Sequence, residues 1–285
     1  MHRTLSAAGA FWLAAFTYFI WGFTFLASRI AQDYGTPFVL LFWRFALAFV
    51  LLNLLRLTGR FPVRLRGRKL WPVLLAGLFE PVLYFPCEQY GLKLTSTSFS
   101  GVMVALIPLC SLVYGAVFLH EKATWRQVVF SVLSVAGGIV LAVYATGIGA
   151  GSFLGFLILL GTVFAGAGYI VACRACSGSF TAFERTYITC GMGAAAFGVL
   201  SVLEHRHDLS AVVLPMTHTP FALAIVFLSV VASVLSYLAL NRALEVLPVA
   251  RTAALINFST VVSVLAGVLI LREPFGWVSA AASAA

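Results

Sequence analysis

Charged residues are scarce in this sequence. Only 9% of the 285 residues are Asp, Glu, Lys or Arg, whereas 62% are hydrophobic and the mean hydropathy is +1.03. Because a soluble domain carries roughly 25% charged residues, this composition excludes an ordinary soluble protein. Apolar runs of about 20 residues, long enough to cross a bilayer, recur along the whole chain. The breaks between them are short and leave no room for a separate soluble domain.

Familiar catalytic and energy-coupling motifs are also missing. The sequence has no Walker loop, no H-E-x-x-H and no G-x-S-x-G, so nothing in it indicates hydrolysis of ATP. The five cysteines are scattered in or beside apolar runs, which argues against a disulfide framework. The C-x-x-C spacing of Cys173 and Cys176 lacks a second ligand pair. We therefore expect no metal and no cofactor.

Acidic residues are half as frequent as basic ones, and the formal net charge is +9. This charge does not predict nucleic-acid binding, because six basic residues lie in one break between apolar runs, where they act as a topology signal. They are Arg56, Arg60, Arg64, Arg66, Arg68 and Lys69. Assigning that break to the cytoplasm also places the N-terminus in the cytoplasm, and puts Glu204 and Asp208 outside.

The apolar runs predict an all-α polytopic membrane protein with ten transmembrane helices. The expected spans are 9–30, 37–57, 70–92, 97–119, 126–145, 152–173, 180–203, 220–241, 250–271 and 274 onward. The first run is too long for the core of a signal peptide, so it is kept as a span. The last run ends at residue 285, so we expect an incomplete tenth helix.

The two halves of the chain resemble each other. FLHEKATW, ending at Trp125, aligns with LILREPFGW, ending at Trp277, and this alignment places Glu121 opposite Glu273. TYFIWGFTFLASR at 17–29 aligns with TVFAGAGYIVACR at 162–174. The pattern predicts two five-helix repeats, at 1–148 and 149–285. An odd number of spans in each repeat makes the repeats inverted, which is typical of alternating-access transporters.

Several segments resemble one known family. IWGFTFLASR, FWRFALA, EQYGLKLTSTSFSGVMVALIPL and LHEKATW, in this order, are similar to the EamA-type branch of the drug/metabolite transporter superfamily. The resemblance implies an inner-membrane carrier that exports amino acids or related metabolites, with a central cavity lined by spans 1, 3, 4, 6, 8 and 9. Exporters of aromatic amino acids are plausible relatives. Thr260 departs from the family pattern, which has proline there to match Pro108 of the first half.

Residues 78–92, LFEPVLYFPCEQYGL, combine an apolar span with two carboxylates and two prolines. At 100° per residue, Glu80, Tyr84 and Glu88 share one face of a helix with Cys87 and Gly91. A carboxylate near the bilayer centre costs about 3 kcal/mol, so this face should border a watery cavity rather than lipid. The two prolines should bend the helix and free backbone carbonyl groups beside the same cavity.

Other candidate cavity residues come from several spans. Trp21 could stack on an aromatic or cationic substrate. In the second half the candidates are Tyr169, Ser233, Tyr237, Asn257 and Thr260, although such residues more often join helices. Arg44 is expected to form a structural ion pair with Glu88. Glu121 and Glu273, which follow spans 4 and 9, are expected to serve structure rather than transport.

The sequence therefore predicts a secondary transporter for a small-molecule substrate, with membrane lipid around it and no nucleic-acid partner. Glu80 is expected to bind an amino group or to be protonated. Coupling to protons and simple facilitated efflux both fit the residues. The alternative is an intramembrane enzyme that acts on lipids, with Glu80 as its acid or base. That enzyme would need a second catalytic group at the same depth, and the apolar runs contain neither histidine nor aspartate there.

Overall fold

The computed structural model describes residues 5–120, 124–126, 128–129, 132–133 and 152–270. All regular elements in these residues are helical. The α-helices are α1 (Ala7–Gly22), α2 (Thr24–Gln32), α3 (Pro37–Leu57), α4 (Trp71–Gly77), α5 (Tyr84–Leu94), α6 (Thr97–Val104), α7 (Ile107–Leu119), α8 (Ser152–Cys176), α9 (Ala182–Glu204), α10 (Ser210–Val213), α11 (Thr219–Val226), α12 (Ser236–Ala243), α13 (Val249–Ala254) and α14 (Ile256–Leu269). Two π-helical segments, π1 (Leu78–Leu83) and π2 (Phe227–Leu235), interrupt this series.

Five helical stretches within the described residues are long and apolar enough to cross a membrane. They are Ala7–Gln32, Pro37–Leu57, Phe153–Cys176, Ala182–Glu204 and Thr219–Ala243. A helix rises 1.5 Å per residue, so about 20 residues match the hydrocarbon core. Large apolar side chains on their outer faces are exposed, among them Phe11, Val50 and Val199. The prediction of an all-helical, multi-pass membrane protein is confirmed.

Helix starts follow local sequence signals. Ser6 caps α1, because its hydroxyl group accepts from the backbone N–H of Gly9 at 3.1 Å. Pro37 occupies the first turn of α3, where a missing N–H group costs nothing. Thr181 and Glu184 form a reciprocal capping box at the start of α9. Glu184 therefore fixes a helix end instead of disturbing the apolar run that follows.

The predicted bend in the third span lies at one of the two prolines. Between α4 and α5, Glu80 has non-helical backbone angles, φ −144° and ψ 115°, next to Pro81 in π1. At Pro86, in contrast, α5 continues without a break. The expectation of a bend at both prolines is therefore wrong for Pro86.

The extensive helix contacts join the first half of the chain to the second. α1 packs on α12, α3 on α9, α5 on α8, and α6 on α14. Small residues permit this close packing. Gly77 lies against Met192, Gly91 against Leu159, and Gly101 against Ser263. The buried core therefore runs between the halves instead of lying inside each one.

Gly22 is another close approach between the halves. A Cβ atom there would lie 2.5 Å from Val262 Cβ and 2.9 Å from the carbonyl oxygen of Ser259, so a side chain would force α1 and α14 apart. We expect Gly22→Ala to destabilise the fold by about 1–3 kcal/mol, measured by thermal unfolding in detergent. Gly178→Ala is the control, since no atom lies within 4 Å of that Cβ position. Equal stability of the two variants would contradict this packing.

Some predictions fall outside the described residues. Most of the expected span 126–145 and the expected span from 274 onward lie there, as do Glu121, Glu273 and Trp277. The backbone of Asn257 belongs to α14, but its side chain is not described.

Candidate functional site

A cavity of about 40 Å³ lies between the two halves. Its walls come from α1, α2, α3, π1, α5, α7, α8 and α14, together with the end of α6. The lining residues include Tyr18, Trp21, Arg44, Glu80, Tyr84, Phe85, Glu88, Tyr169 and Ser259. Since a cavity that takes a benzene ring measures about 150 Å³, this space holds water but is too small for an aromatic side chain. The conformation is therefore a contracted one.

Glu80 is placed in the cavity wall by π1. It is 4% exposed and accepts a short hydrogen bond from the hydroxyl group of Tyr237, which lies 157 residues later in α12. The irregular backbone at Glu80 turns this residue out of the regular helical register. The carboxyl group thus joins the first half of the chain to the second at the cavity.

Aromatic rings surround Glu80. The Trp21 ring lies 5.4 Å from the Tyr237 ring and 5.5 Å from the Tyr18 ring, and Tyr169 lies 5.8 Å from Tyr237. All three pairs meet edge to face, an arrangement that aromatic pairs favour. Trp21 is fixed further, because its Nε1 donates to the carbonyl oxygen of Ala232 at 2.9 Å. These rings give the cavity rigid apolar walls.

Glu88 lines the same cavity two turns further along the third span. Its Oε2 accepts from Gln89 Nε2 at 2.9 Å. Gln89 also donates to Ser28 Oγ at 3.2 Å, while Gln32 donates to Gln89 Oε1 at 2.9 Å. This network ties α5 to α2 beside the carboxylate.

Arg44 brings a buried positive charge to the cavity. Its side chain is 1% exposed, Nε donates to Ser233 Oγ at 3.0 Å, and the guanidinium carbon lies 4.3 Å from the Phe85 ring centroid. Nη1 is buried and has no hydrogen-bond partner among the described residues. No described carboxylate lies within 4.0 Å of Arg44. The ion pair with Glu88 is not formed in this conformation, and it stays a prediction.

The predicted polar face of the third span divides in the structure. Glu80, Tyr84 and Glu88 line the cavity. Cys87 instead packs toward Gly161, and Gly91 toward Leu159, both on α8. Tyr84, Cys87, Glu88 and Gly91 all belong to the continuous helix α5, so the break at Glu80 does not cause this division. The predicted face is wide, and one edge of it packs on α8 while the other lines the cavity.

The candidates from the second half have different surroundings. Tyr169 lines the cavity, Tyr237 reaches Glu80, and Ser233 holds Arg44. Thr260 donates to the carbonyl oxygen of Gly101 at 3.0 Å and so joins α14 to α6. The side chain of Asn257 lies outside the described residues.

Two residues near the site were missed by the sequence reasoning. Tyr18 lines the cavity, and its buried hydroxyl group has no partner among the described residues. Its spacing of three residues from Trp21 was the available signal. The second is Arg185, which lies next to the capping residue Glu184 in the first turn of α9.

Arg185 is fully buried beside the site. Nη1 donates to the carbonyl oxygen of Cys173 at 2.8 Å, and Nη2 donates to the carbonyl oxygen of Asn241 at 2.5 Å and to Glu245 Oε1 at 3.2 Å. Asn241 Nδ2 in turn donates to the hydroxyl oxygen of Tyr169 at 3.3 Å. A polar network thus runs from the cavity wall to the adjoining ends of α8, α9 and α12.

The site combines groups of both charges with aromatic walls. The two carboxyl groups can accept from an ammonium group, while the unpartnered nitrogen of Arg44 can donate to a carboxylate. Because there are two carboxyl groups, an ammonium group would have more than one acceptor. This arrangement suits binding of a molecule that carries both charges.

Comparison with known proteins identifies relatives over the whole chain. A family model described as the EamA-like transporter family matches residues 8–143 and again residues 153–285. An uncharacterized transporter of Bacillus subtilis (strain 168), YcxC, is 32% identical over 270 residues, which cover 93% of this chain and 86% of that protein. An uncharacterized transporter of Archaeoglobus fulgidus is 25% identical over 91% of this chain and 89% of that protein.

A partial relative carries a more specific name. A protein of Streptantibioticus cattleyicolor, named "Probable terminal-alkyne amino-acid exporter", is 30% identical over 136 residues, 47% of this chain and 45% of that protein. Among solved structures, one crystal structure matches with a TM-score of 0.75 at 20% identity, covering 98% of this chain and 94% of the other. The likeness to this solved structure shows the fold alone.

Proposed function

The chain belongs to the EamA-like transporter family, and we propose that it exports amino acids, aromatic or otherwise hydrophobic, or related small metabolites. Membership of this family makes the chain a transporter rather than an enzyme, so the intramembrane enzyme that would use Glu80 on lipids is not retained. The proposed location is the inner membrane, with the N-terminus in the cytoplasm. The proposed mechanism is alternating access between inverted repeats at 1–148 and 149–285.

One observation carries the proposed substrate class. Glu80, Glu88 and Arg44 line a single cavity, and Arg44 Nη1 has no partner among the described residues. Leaving a buried charged donor unpaired costs free energy, which a substrate carboxylate would recover. The carboxyl groups would take the substrate ammonium group, and the rings of Trp21 and Tyr84 would contact its side chain. The name of the partial relative agrees with an amino acid.

Three findings support the inverted repeats. The family model matches the chain twice. The contacts between the halves also follow the repeat. If spans 1–5 correspond to spans 6–10, contact of spans 1 and 8 corresponds to contact of spans 6 and 3, and both contacts are present. Finally, π1 and π2 occur at corresponding places in spans 3 and 8. Alternation would then follow from rocking one repeat against the other.

The contracted cavity fits one stage of such a cycle. A cavity of about 40 Å³ is well below the roughly 150 Å³ that takes a benzene ring, so binding of an aromatic amino acid requires the cavity to widen. The hydrogen bond between Tyr237 and Glu80 joins the halves at this point. A substrate ammonium group that competes for Glu80 would weaken that link. Protons could compete in the same way, so coupled transport and facilitated efflux both remain compatible with the site.

The decisive experiment separates the two charges of the substrate. In proteoliposomes we expect flux of a labelled aromatic amino acid, and the unlabelled amino acid should inhibit this flux. Its amide, which lacks the carboxylate, and its deaminated acid, which lacks the ammonium group, should inhibit the flux more weakly. Each lost charge-assisted hydrogen bond should weaken inhibition by about tenfold or more. In Arg44→Gln the amino acid and its amide should inhibit about equally, because only the interaction with the carboxylate is lost.

Arg60→Gln is the control, since it removes a basic residue that does not line the cavity. It should preserve the preference for the amino acid over the amide. Equal inhibition by amino acid and amide in the unaltered protein would overturn the role of Arg44. Absence of protein-dependent flux for every amino acid tested would overturn the substrate class.

A further inference from the structure

A second site of a different kind lies at the end of α3, away from the cavity. The residues around an open groove of about 600 Å³ are Arg56, Val63, Arg64, Leu65, Arg66 and Tyr187. Three of the six are exposed arginines. The floor is built from both halves, because Tyr187 belongs to α9 and donates to Asn53 Oδ1 of α3 at 2.9 Å. The groove is thus part of the fold and not only a property of the loop.

The loop that forms one wall is held in place by Glu184. The backbone N–H of Arg64 donates to Glu184 Oε1 at 2.9 Å, and Arg68 Nη1 donates to both oxygens at 3.2 and 3.1 Å. The backbone N–H of Thr181 donates to Oε2 at 2.9 Å. Because these donors occupy its oxygens, Glu184 orders the loop without neutralising the arginines of the groove.

The positive charge of this region exceeds the acidic residues that could balance it. Arg56, Arg60, Arg64, Arg66 and Lys69 have no carboxylate within 4.0 Å among the described residues. Of the nine acidic residues in the sequence, only Glu121 and Glu273 lie outside the described part. Even if both lay beside these five cations, their two negative charges would leave an excess of about three positive charges. The groove therefore attracts an anion.

Apolar side chains indicate which anion this is. Val63 and Leu65 line the groove between the arginines. Leu54 and Leu57, in the last turns of α3, are 55% and 80% exposed, as expected of a helix end that faces acyl chains. The arginines therefore lie where hydrocarbon meets headgroups, within reach of lipid phosphates. A soluble phosphate would gain nothing from the apolar neighbours.

We propose that this groove binds the headgroup phosphate of an anionic phospholipid. Arg64 and Arg66 of the loop and Arg56 of α3 contact the phosphate, and the acyl chains pass beside the apolar end of α3. Tyr187 positions Arg56, whose Nη1 donates to the tyrosine oxygen at 3.4 Å. Such a lipid would bridge α3 and α9, the helices that pair across the two halves. This proposal does not depend on the substrate of the cavity.

The test compares two variants that each remove two positive charges from the same loop. Arg64→Gln/Arg66→Gln changes the groove, whereas Arg60→Gln/Lys69→Gln changes residues that do not line it. Purified full-length protein is titrated with phosphatidylglycerol in mixed micelles, and bound lipid is counted by native mass spectrometry. We expect the groove variant to bind the lipid at least about tenfold more weakly than the unaltered protein, and the control variant to bind it within a factor of about two.

Two further arms distinguish the alternatives. Titration with phosphatidylcholine, which carries no net charge, should not change the number of lipid molecules counted on each protein. Inorganic phosphate at millimolar concentration should not displace phosphatidylglycerol. The proposal is overturned if both double variants lose the lipid equally, since attraction would then be general, or if inorganic phosphate displaces it, since the site would then serve a soluble anion.

Discussion

Glu80→Gln is expected to lower amino-acid flux in proteoliposomes by about tenfold or more. The substitution removes the charge proposed to hold the substrate ammonium group, and a hydrogen bond to a charged group contributes about 1.5–3 kcal/mol. Glutamine still offers an oxygen to the hydroxyl group of Tyr237, so the contact between the halves persists. Flux is measured across a range of pH, and any pH dependence that arises at Glu80 should disappear in the variant.

The matched control is Glu204→Gln. Glu204 ends α9, accepts from the Thr36 hydroxyl group at 2.6 Å, and lies outside the cavity. It should transport at the level of the unaltered protein. Thermal unfolding of both variants in detergent separates a loss of transport from a loss of folding. Unchanged flux of Glu80→Gln at every pH would remove Glu80 from the proposed binding site.

Glu245→Gln is expected to have the largest effect on stability. Glu245 is the acidic partner of Arg185, which is buried completely, and it also accepts from the backbone N–H of Ala182 at 3.0 Å. It pairs in addition with Arg242. Removing the negative charge leaves Arg185 buried without a described carboxylate, which should cost about 3 kcal/mol. The measurement is the unfolding transition in detergent.

A double variant distinguishes the buried charge from general loss of packing. Arg185→Met/Glu245→Met removes both charges and keeps apolar volume, so it should recover much of the stability lost in Glu245→Gln. Asp33→Asn is the control for removing an exposed carboxylate, and little change is expected there. If Glu245→Gln unfolds at the same temperature as the unaltered protein, Arg185 draws its stability from the backbone carbonyl groups alone.

Helix positions could be predicted from the sequence because hydropathy is a local property. The expected span 37–57 coincides with Pro37–Leu57, and 180–203 differs from Ala182–Glu204 by two residues at most. The breaks inside spans were harder to predict. The first span divides at Phe23 and the ninth at Leu255, and neither place contains a proline. Such breaks depend on packing against other helices, and the hydropathy of one segment carries no information about its neighbours.

The candidate site was predicted in part. Glu80 and Glu88 were found because a carboxylate in an apolar run is costly and therefore informative, and Tyr84 because it shares their helix face. Arg44 was found for the same reason, but its partner was not, since Ser233 lies 189 residues away and is one of many serines. Arg185 was not predicted, since its partners Asn241 and Glu245 lie 56 and 60 residues away. One sequence does not show which helix faces which.

The sequence by itself determined that this protein is a bundle of apolar helices in a membrane, and it marked the few costly charges within them. Solvation free energy decides both, and each residue carries its own contribution. Only the tertiary structure decided that Tyr237 meets Glu80, that Arg44 reaches the cavity with an unpartnered nitrogen, and that Cys87 does not line it. These depend on the rotation and approach of whole helices, which are set by small residues and irregular turns at contacts between distant parts of the chain.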